Sequence, residues 1–592
     1  MNQINNRLEL LRSEMKKNGV SATIIPGTDP HASEYLAKHW QERNWISGFT
    51  GSAGTAVITL DKAAVWTDSR YFIQAENQLN DSEFFLMKDR LPETPDIITW
   101  LLEELSENAV IGLNPEMFAH QVFIGYQTRL NHKKINIKSI DFIDLIWKNR
   151  SSLPQNPLKI FDVKYAGISV KEKLENIRKA ILRLDTTVYV LSNLDEIAWV
   201  YNIRGNDVNF NPLVISYAVI EKDHAHFFVD KEKLTEETIA YFDLNEIIIH
   251  DYNEIYKFLN ELNSESKILF DGQKLNQNLF ESIPKTCQTI YANSPITDQK
   301  SLKNRVEAEG FRKAMIKDGV ALTRFFIWLE NNIHQSITEY NVGEELIKFR
   351  SEQELFQGAS FNTICGYAGN GAMNHYSAKK DSAAVLGTKD LILIDSGGQY
   401  LDGTTDITRT LKLGEATAQE KKDYTLVLKG MIALSQAKFP INTRGSQLDV
   451  LARQFMWEEA INFGHGTGHG VGHFLCVHEG PQSIRMEENS VTLKPGMVLS
   501  NEPGIYRTNE YGIRIENLLL VTEAEKTEFG DFLHFETLTL CPIDQTLIDF
   551  DLLSLKDKKW LNNYHRTVYE KLSPSLDENE KLWLEEKCKP ID

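Results

Sequence analysis

The sequence predicts an α/β fold: two related amino-terminal α/β domains followed by a larger third block. Three observations predict it. Polar, proline-bearing breaks at SSLPQNP (151–157) and NSPITDQKS (293–301) divide the chain. The first two blocks repeat one layout, and the third carries buried strands that end on carboxylates. These breaks set domains at 1–155, 156–300 and 301–592.

In the first block NWISGFTGSAGTAVIT (44–59) is followed by AAVWTDSRYF (63–72). In the second, AWVYNIRGNDVNFNPLVISYAVI (198–220) is followed by AHFFVDKEKL (225–234). Each reads as an aromatic-rich strand, a glycine turn and β-rich runs ending in an aspartate before a helix. Neither block holds a cluster of metal- or proton-binding side chains, so both read as scaffold and assembly surface. The amino terminus reads as an amphipathic helix with Leu8, Leu10, Leu11 and Met15 on or near one face. Ser169 followed by Glu172 opens a helix with a capping box. A long helix is expected over RVEAEGFRKAMIKDGVALTRFFIWLENN, and a terminal helix with Trp560, Leu561, Tyr564 and Val568 near one face.

Composition excludes several classes. The chain has 64 basic against 83 acidic residues, a net charge of −19, which argues against a nucleic-acid or anionic-membrane partner. No stretch approaches the roughly 18 apolar residues that span a bilayer. The amino terminus lacks a signal-peptide core. The five cysteines are scattered without a CxxC pair, which disfavours a disulfide framework and points to the cytoplasm.

The third block carries the chemistry. LILIDSGGQYLDGTTDITRT (391–410) reads as two strands, a buried one ending on Asp395 and a second carrying Asp406. A carboxylate at the end of a buried strand is costly unless it is paired or metal-bound. FGHGTGHGVGHF (463–474) sets His465, His469 and His473 among five alternating glycines. Each interior glycine costs a helix about 0.5–1 kcal/mol against alanine, so strand or loop is the better reading. VLSNEPGIYR (498–507) places Glu502 after a short apolar run. In YGIRIENLLLV (511–521), Arg514 and Glu516 share one face of a hydrophobic strand. Asp395, Asp406, His469, Glu502 and Glu516 together offer four carboxylates and one imidazole, donors suited to Mn²⁺ or Mg²⁺ rather than a thiolate-type zinc site. Their four charges match two divalent ions, and without metal they would repel.

The order Asp, Asp, His, Glu, Glu, with HGTGHGVG, NEPG and GIRIEN, resembles the pita-bread metallopeptidases. Within them the match is to the long, three-domain form of the aminopeptidase P (Xaa-Pro aminopeptidase) family. NHYS around His375, DGTTDITRT, VHEGP around His478, SGFTGSAGTAVI and WTDSRYF carry the likeness further. The resemblance implies a carboxy-terminal pita-bread domain with a helical extension, which removes the first residue from peptides with proline in second position. It implies that Asp395 and Asp406 bind one ion, that His469 and Glu502 bind another, and that Asp406 and Glu516 bridge. The ions would be Mn²⁺, with Zn²⁺ or Co²⁺ as alternatives, activating a bridging hydroxide. Glu502 would also act as general base, while His478 and His375 would contact the scissile carbonyl and the proline-side residues. His465 would line the substrate pocket, and Phe361, Tyr376 and His465 are candidates for the proline site. Arg514 would orient carboxylates. His473 has no role beyond packing. The resemblance also implies a homodimer with the amino-terminal domain beside the substrate channel, for which Trp40, Trp45 and Phe49 on loops suggest a contact surface. Alternatives are a prolidase, which cleaves only dipeptides, and a non-catalytic pita-bread binding protein.

Overall fold

The structure is a computed structural model describing residues 3–592; the first two residues of the amino-terminal stretch lie outside the described residues. The chain forms two compact units, one of Met1–Val163 with Ile168–Thr297, the other of Lys164–Gly167 with Asp298–Asp592.

The first unit contains two six-stranded mixed sheets. The first sheet is built from β1 (Ala22–Pro26), β2 (Thr55–Thr59), β3 (Ala63–Thr67), β4 (Phe84–Lys88), β5 (Val110–Leu113) and β6 (Asn136–Ser139), in spatial order 4-3-2-1-5-6. The second uses Val188–Leu191, Ser216–Glu221, Ala225–Val229, Ile247–Asp251, Lys267–Phe270 and Gln288–Tyr291, and its spatial order is again 4-3-2-1-5-6. Strand directions agree as well: the first three strands run antiparallel in turn, and the outer pairs are parallel. The echo in sequence is therefore a repeated topology.

The aromatic leads of the two repeats are not strands. Trp45 lies in the helix Glu42–Ser47, which Gly48 terminates at φ 78°, and Trp199 lies in the helix Leu194–Val200. Leu194, Ile197 and Ala198 recur at helical spacing and are all buried. The proposed contact surface also fails on burial. Trp40 is 6% and Phe49 0% exposed, so both are core, and Trp45 is half-buried, stacked on Trp147 at 5.0 Å. Leu8, Leu11 and Met15 are buried on the helix Gln3–Lys17, whereas Leu10 is exposed. Two residues is about 200° of helical turn, which carries Leu10 off that face.

In the second unit the helix Arg305–Asn332 has the expected span and begins with a capping box between Asn304 and Glu307. The helix Leu555–Leu572 buries Leu561, Tyr564 and Val568. Two antiparallel sheets frame the site. One pairs Ile364–Tyr367, Leu391–Ser396 and Ile407–Lys412. The other has six strands in the order Lys438–Pro440, Gly530–Thr537, Asn517–Thr527, Val498–Asn501, Gly468–Gly470 and Glu479–Ile484.

Two glycines of the FGHGTGHGVGHF segment explain its composition. A Cβ on Gly468 would stand 2.0 Å from the Ser500 carbonyl oxygen, and one on Gly470 would stand 2.3 Å from that of Glu479. No side chain fits at either position, so the strand bearing His469 lies directly against its neighbours.

Candidate metal centre

Each functional side chain lies in a strand or directly beside one. Asp395 sits in Leu391–Ser396, whose six residues are all buried, and Asp406 immediately precedes Ile407–Lys412. His469 is the central residue of Gly468–Gly470. Glu502 follows Val498–Asn501, and Glu516 lies between Tyr511–Arg514 and Asn517–Thr527.

Ligand atoms of Asp406, His469 and Glu516 lie within 4.8 Å of one another. His469 Nε2 is 3.4 Å from Asp406 Oδ2 and 3.7 Å from Glu502 Oε1. Its Nδ1 is 3.0 Å from the Gly470 carbonyl oxygen, which takes the Nδ1 proton and turns Nε2 toward the carboxylates. These separations are long for ion-pair hydrogen bonds. They match two donors each about 2.0–2.2 Å from a shared ion.

Arg514 and Thr408 set the far side. Arg514 Nη2 and Nε donate to Asp395 Oδ2 at 2.5 and 3.2 Å, and Nε also donates to Thr408 Oγ1 at 3.1 Å. The Thr408 hydroxyl donates to Glu516 Oε2 at 2.8 Å. Asp395 Oδ1 is buried and has no hydrogen-bond partner. Four carboxylates thus face one guanidinium and one imidazole.

The electrostatics follow. Burial pushes the Glu502 carboxyl up to about 7, with His469 and Arg514 opposing and Asp406 and Asp395 adding. Burial also raises Asp395, opposed by Arg514, and lifts Glu516 far above the carboxylate range, with Asp406, Asp395 and Glu502 adding. For His469, burial disfavours the imidazolium, but Asp406 and Glu502 prevail and lift it to about 9. A site whose anions cannot all ionise without more positive charge, and which holds an unpartnered buried carboxylate oxygen, fits divalent cations.

The remaining predicted residues distribute as follows. The His478 ring stands at 87° to that of His469, centroids 4.4 Å apart. His465 is anchored by its Nε2 at 2.8 Å from the Tyr506 hydroxyl, and its Nδ1 is 3.9 Å from Glu502. His375 follows Asn374, whose carbonyl accepts from Arg514 Nη2 at 3.4 Å. Phe361 is buried, and the Tyr376 hydroxyl donates to Glu339 at 2.8 Å. His473 packs against Phe311, with Nε2 2.9 Å from the Asp402 carbonyl oxygen, a structural place matching its packing role. His469 and Glu502 retain 22% and 18% side-chain exposure, against 1% residue exposure for Glu516, so the cluster opens to solvent on the His469 side.

Several residues escaped sequence reasoning. Tyr506 links His465 to Arg514, whose Nη1 donates to its hydroxyl at 2.6 Å. Arg409, 1% exposed, donates to the backbone carbonyls of Glu516, Cys541 and Pro542 and to the Tyr564 hydroxyl, tying the strand after Glu516 to the terminal helix. Arg453 does the same for the histidine segment, donating to the carbonyls of Phe463 and His465 and to Asp449. The only signal for Thr408 was its position two residues beyond Asp406.

Comparison with known proteins places these features in context. Residues 309–523 match Metallopeptidase family M24, and 531–591 match the C-terminal region of peptidase M24. Residues 7–151 and 149–307 each match the Creatinase/Prolidase N-terminal domain. A probable Xaa-Pro aminopeptidase P of Coprinopsis cinerea is 41% identical, covering 99% of this chain and 98% of its own. Aminopeptidase P2 of Arabidopsis thaliana is 40% identical over 97% of this chain and 86% of its own. The crystal structure of an X-prolyl aminopeptidase from Caenorhabditis elegans, described as a cytosolic enzyme with a di-nuclear active site, superposes with a TM-score of 0.96 at 34% identity over all of both chains.

Proposed function

This chain belongs to metallopeptidase family M24, and we propose that it is a metal-dependent aminopeptidase releasing the first residue from peptides with proline in second position. The observation that carries this reading is the meeting of four carboxylates and the His469 imidazole at a solvent-facing opening, within a chain alike over its full length to Xaa-Pro aminopeptidase P proteins. Asp395 and Asp406 would hold one divalent ion and His469 and Glu502 a second, with Asp406 and Glu516 shared. When bound, such ions polarise a carbonyl and lower the pKa of water to near neutrality. Mn²⁺ suits the oxygen-rich donor set best.

The chain's own groups supply the rest. Glu502 takes a proton from the attacking water and passes it to the leaving nitrogen. His478 and His375 donate to the carbonyl oxygen as it gains charge. Arg514 holds Asp395, and Thr408 holds Glu516, so both carboxylates keep their orientation. His465, fixed by Tyr506, bounds the pocket for the proline side. A bond before proline is a tertiary amide without N–H, so recognition rests on ring shape and on the free α-amine rather than on amide hydrogen bonding.

The test is release of the first residue from Xaa-Pro-Xaa peptides with Mn²⁺. Proline in second place is expected to be cleaved far faster than alanine, and acetylation of the amino terminus to stop cleavage. Efficient hydrolysis of blocked peptides, or of dipeptides alone, would overturn the reading.

The division at 155 and 300 belongs to the same proposal, as does a cytoplasmic location. Among the described residues no disulfide joins the five cysteines and no helix is long and apolar enough to cross a membrane. The proposed homodimer rests on the likeness to the long-form family alone, because Trp40 and Phe49 are packed inside the first unit. Light scattering at micromolar concentration is expected to give about twice the 67.8 kDa chain mass; a strict monomer would remove this element.

A further inference from the structure

The first sheet has a switch point between β1 and β5. These strands are parallel neighbours, but β1 leads to β2 on one side and β5 to β6 on the other. Connections that leave in opposite directions hold a crevice open at the carboxyl ends of such strands, where ligands of open α/β sheets bind. Here the crevice is a cavity of about 370 Å³, within the ordinary range for small-molecule sites. The loop after β1, the start of β2, the segment after β5 and residues 273–276 of the second repeat enclose it. No residue of the metal centre lines it.

The walls are fixed. Ala119 and Asn276 form a backbone bridge, and Asn276 Nδ2 donates to the Pro30 carbonyl at 2.9 Å. His120 N–H donates to the Leu275 carbonyl at 2.8 Å, and Gln277 N–H to that of Phe118 at 2.9 Å. Such bonds make a built cavity rather than a packing fault.

Its charge is unbalanced. Asp29 lines the cavity at 2% exposure. Its Oδ1 accepts the N–H groups of His31 and Ser33, both at 2.9 Å, which accounts for the loop conformation. Its Oδ2 is buried without a hydrogen-bond partner. Lys274, the other charged residue of the lining, is already committed: Nζ donates to Glu196 at 2.6 Å and to Thr297 at 2.5 Å. Burial pushes the Asp29 carboxyl up to about 6, opposed by the N–H and side chain of Ser33 and by the N–H of His31. Met117, Phe118, Val122 and Tyr126 supply an apolar wall. An adjoining cleft shares Gly54, Thr55 and Tyr126 and adds charged residues that already have partners, Asp96 with Arg129 at 2.8 Å and Asp89 with Arg90 at 3.8 Å.

We propose that this cavity binds a small alkylammonium compound, with the cation on Asp29 Oδ2 and the methylene stem against Met117, Val122 and Tyr126. A buried carboxylate oxygen without a partner in an apolar cavity selects a cation over a neutral isostere, because only the cation compensates its charge. Asp89 of the adjoining cleft is already paired with Arg90, so recognition rests on Asp29, and cadaverine offers it one ammonium while the other stays in solvent at the open rim.

The experiment is calorimetric titration of the metal-loaded full chain with cadaverine and with its neutral isostere 1,5-pentanediol. Cadaverine is expected to bind at least 10-fold more tightly than the diol. Asp29→Asn is expected to weaken cadaverine at least 10-fold. Val122→Trp fills the exposed rim without touching the carboxylate and is expected to do the same. Peptide turnover in the absence of amine should stay within twofold of wild type for both variants. If Asp29→Asn does not fold, Val122→Trp decides. Binding unchanged in the variants, equal binding of the diol, no binding at millimolar cadaverine, or simple competition with peptide (which would place the amine at the metal centre) overturns the proposal.

Discussion

Asp406→Asn is expected to reduce turnover of Xaa-Pro peptides by at least about 10³-fold, with the fold retained. Asp406 and Glu516 are the carboxylates whose ligand atoms share one 4.8 Å cluster with His469. An amide keeps their shape but removes a charge and one good donor oxygen, so a shared ligand position is lost. Glu516→Gln should behave alike, and Glu502→Gln should lose roughly 10²–10⁴-fold through the missing base alone. Thr408→Val provides the graded control. It removes only the hydroxyl on Glu516 Oε2, and loss of such an orienting contact lowers metal affinity or activity about 10–100-fold. Steady-state kinetics in excess Mn²⁺, with metal content measured on the same samples, separates these cases. If Asp406→Asn or Glu516→Gln keeps more than a few per cent of wild-type turnover at full metal loading, the shared-ligand assignment is wrong.

Much of this site was legible because its residues leave local traces. Asp395 ends a uniformly apolar run, and the structure buries all six residues of that strand. Alternating glycines marked a backbone that must approach its neighbours, and Gly468 and Gly470 have no room for a side chain. What stayed hidden depends on contacts between distant segments. Arg409 reaches Cys541 and Tyr564, more than 130 residues away, and nothing in DITRT reveals those partners. Tyr506 carries no local mark of its role, because His465 and Arg514 meet its hydroxyl only in the folded chain. The aromatic residues misled for a related reason. Trp40 and Phe49 sit in sequence that resembles loop, but the packing of the first unit buries both. Burial of a ring is a tertiary property that local pattern does not carry. The shared strand order of the two amino-terminal sheets was likewise visible only in part. Sequence showed matching runs, but register and order come from pairing between strands far apart.

Chelation is expected to lower the melting temperature of the catalytic unit by an amount that grows between pH 5 and 8.5. The sign follows from the site's proton affinities. Glu502 is raised from 4.5 to about 7, and Asp395 and Glu516 are raised too, so the metal-free folded state binds protons more tightly than the unfolded chain. Stability from a raised carboxyl is complete below its unfolded pKa and is lost as pH climbs through the folded one; for Glu502 that window is about 4.5 to 7. His469, raised from 6.5 to about 9, loses its contribution over the next window, in the same direction. All four shifts have the same sign, so the metal-free folded state loses stability steadily from acid to alkaline pH. Divalent ions act oppositely. They bind the deprotonated ligands of the folded state alone, add about 4 kcal/mol when free metal exceeds Kd a thousandfold, and bind better as pH rises. Loaded and chelated protein should therefore melt at similar temperatures near pH 5 and separate steadily above it. Calorimetric scans at constant ionic strength, with Mn²⁺ or with chelator, give both curves. Asp406→Asn should shrink the separation, because it removes one of the anions that the ions neutralise. A gap that stays constant or narrows toward alkaline pH would mean that these carboxylates are not held together by metal.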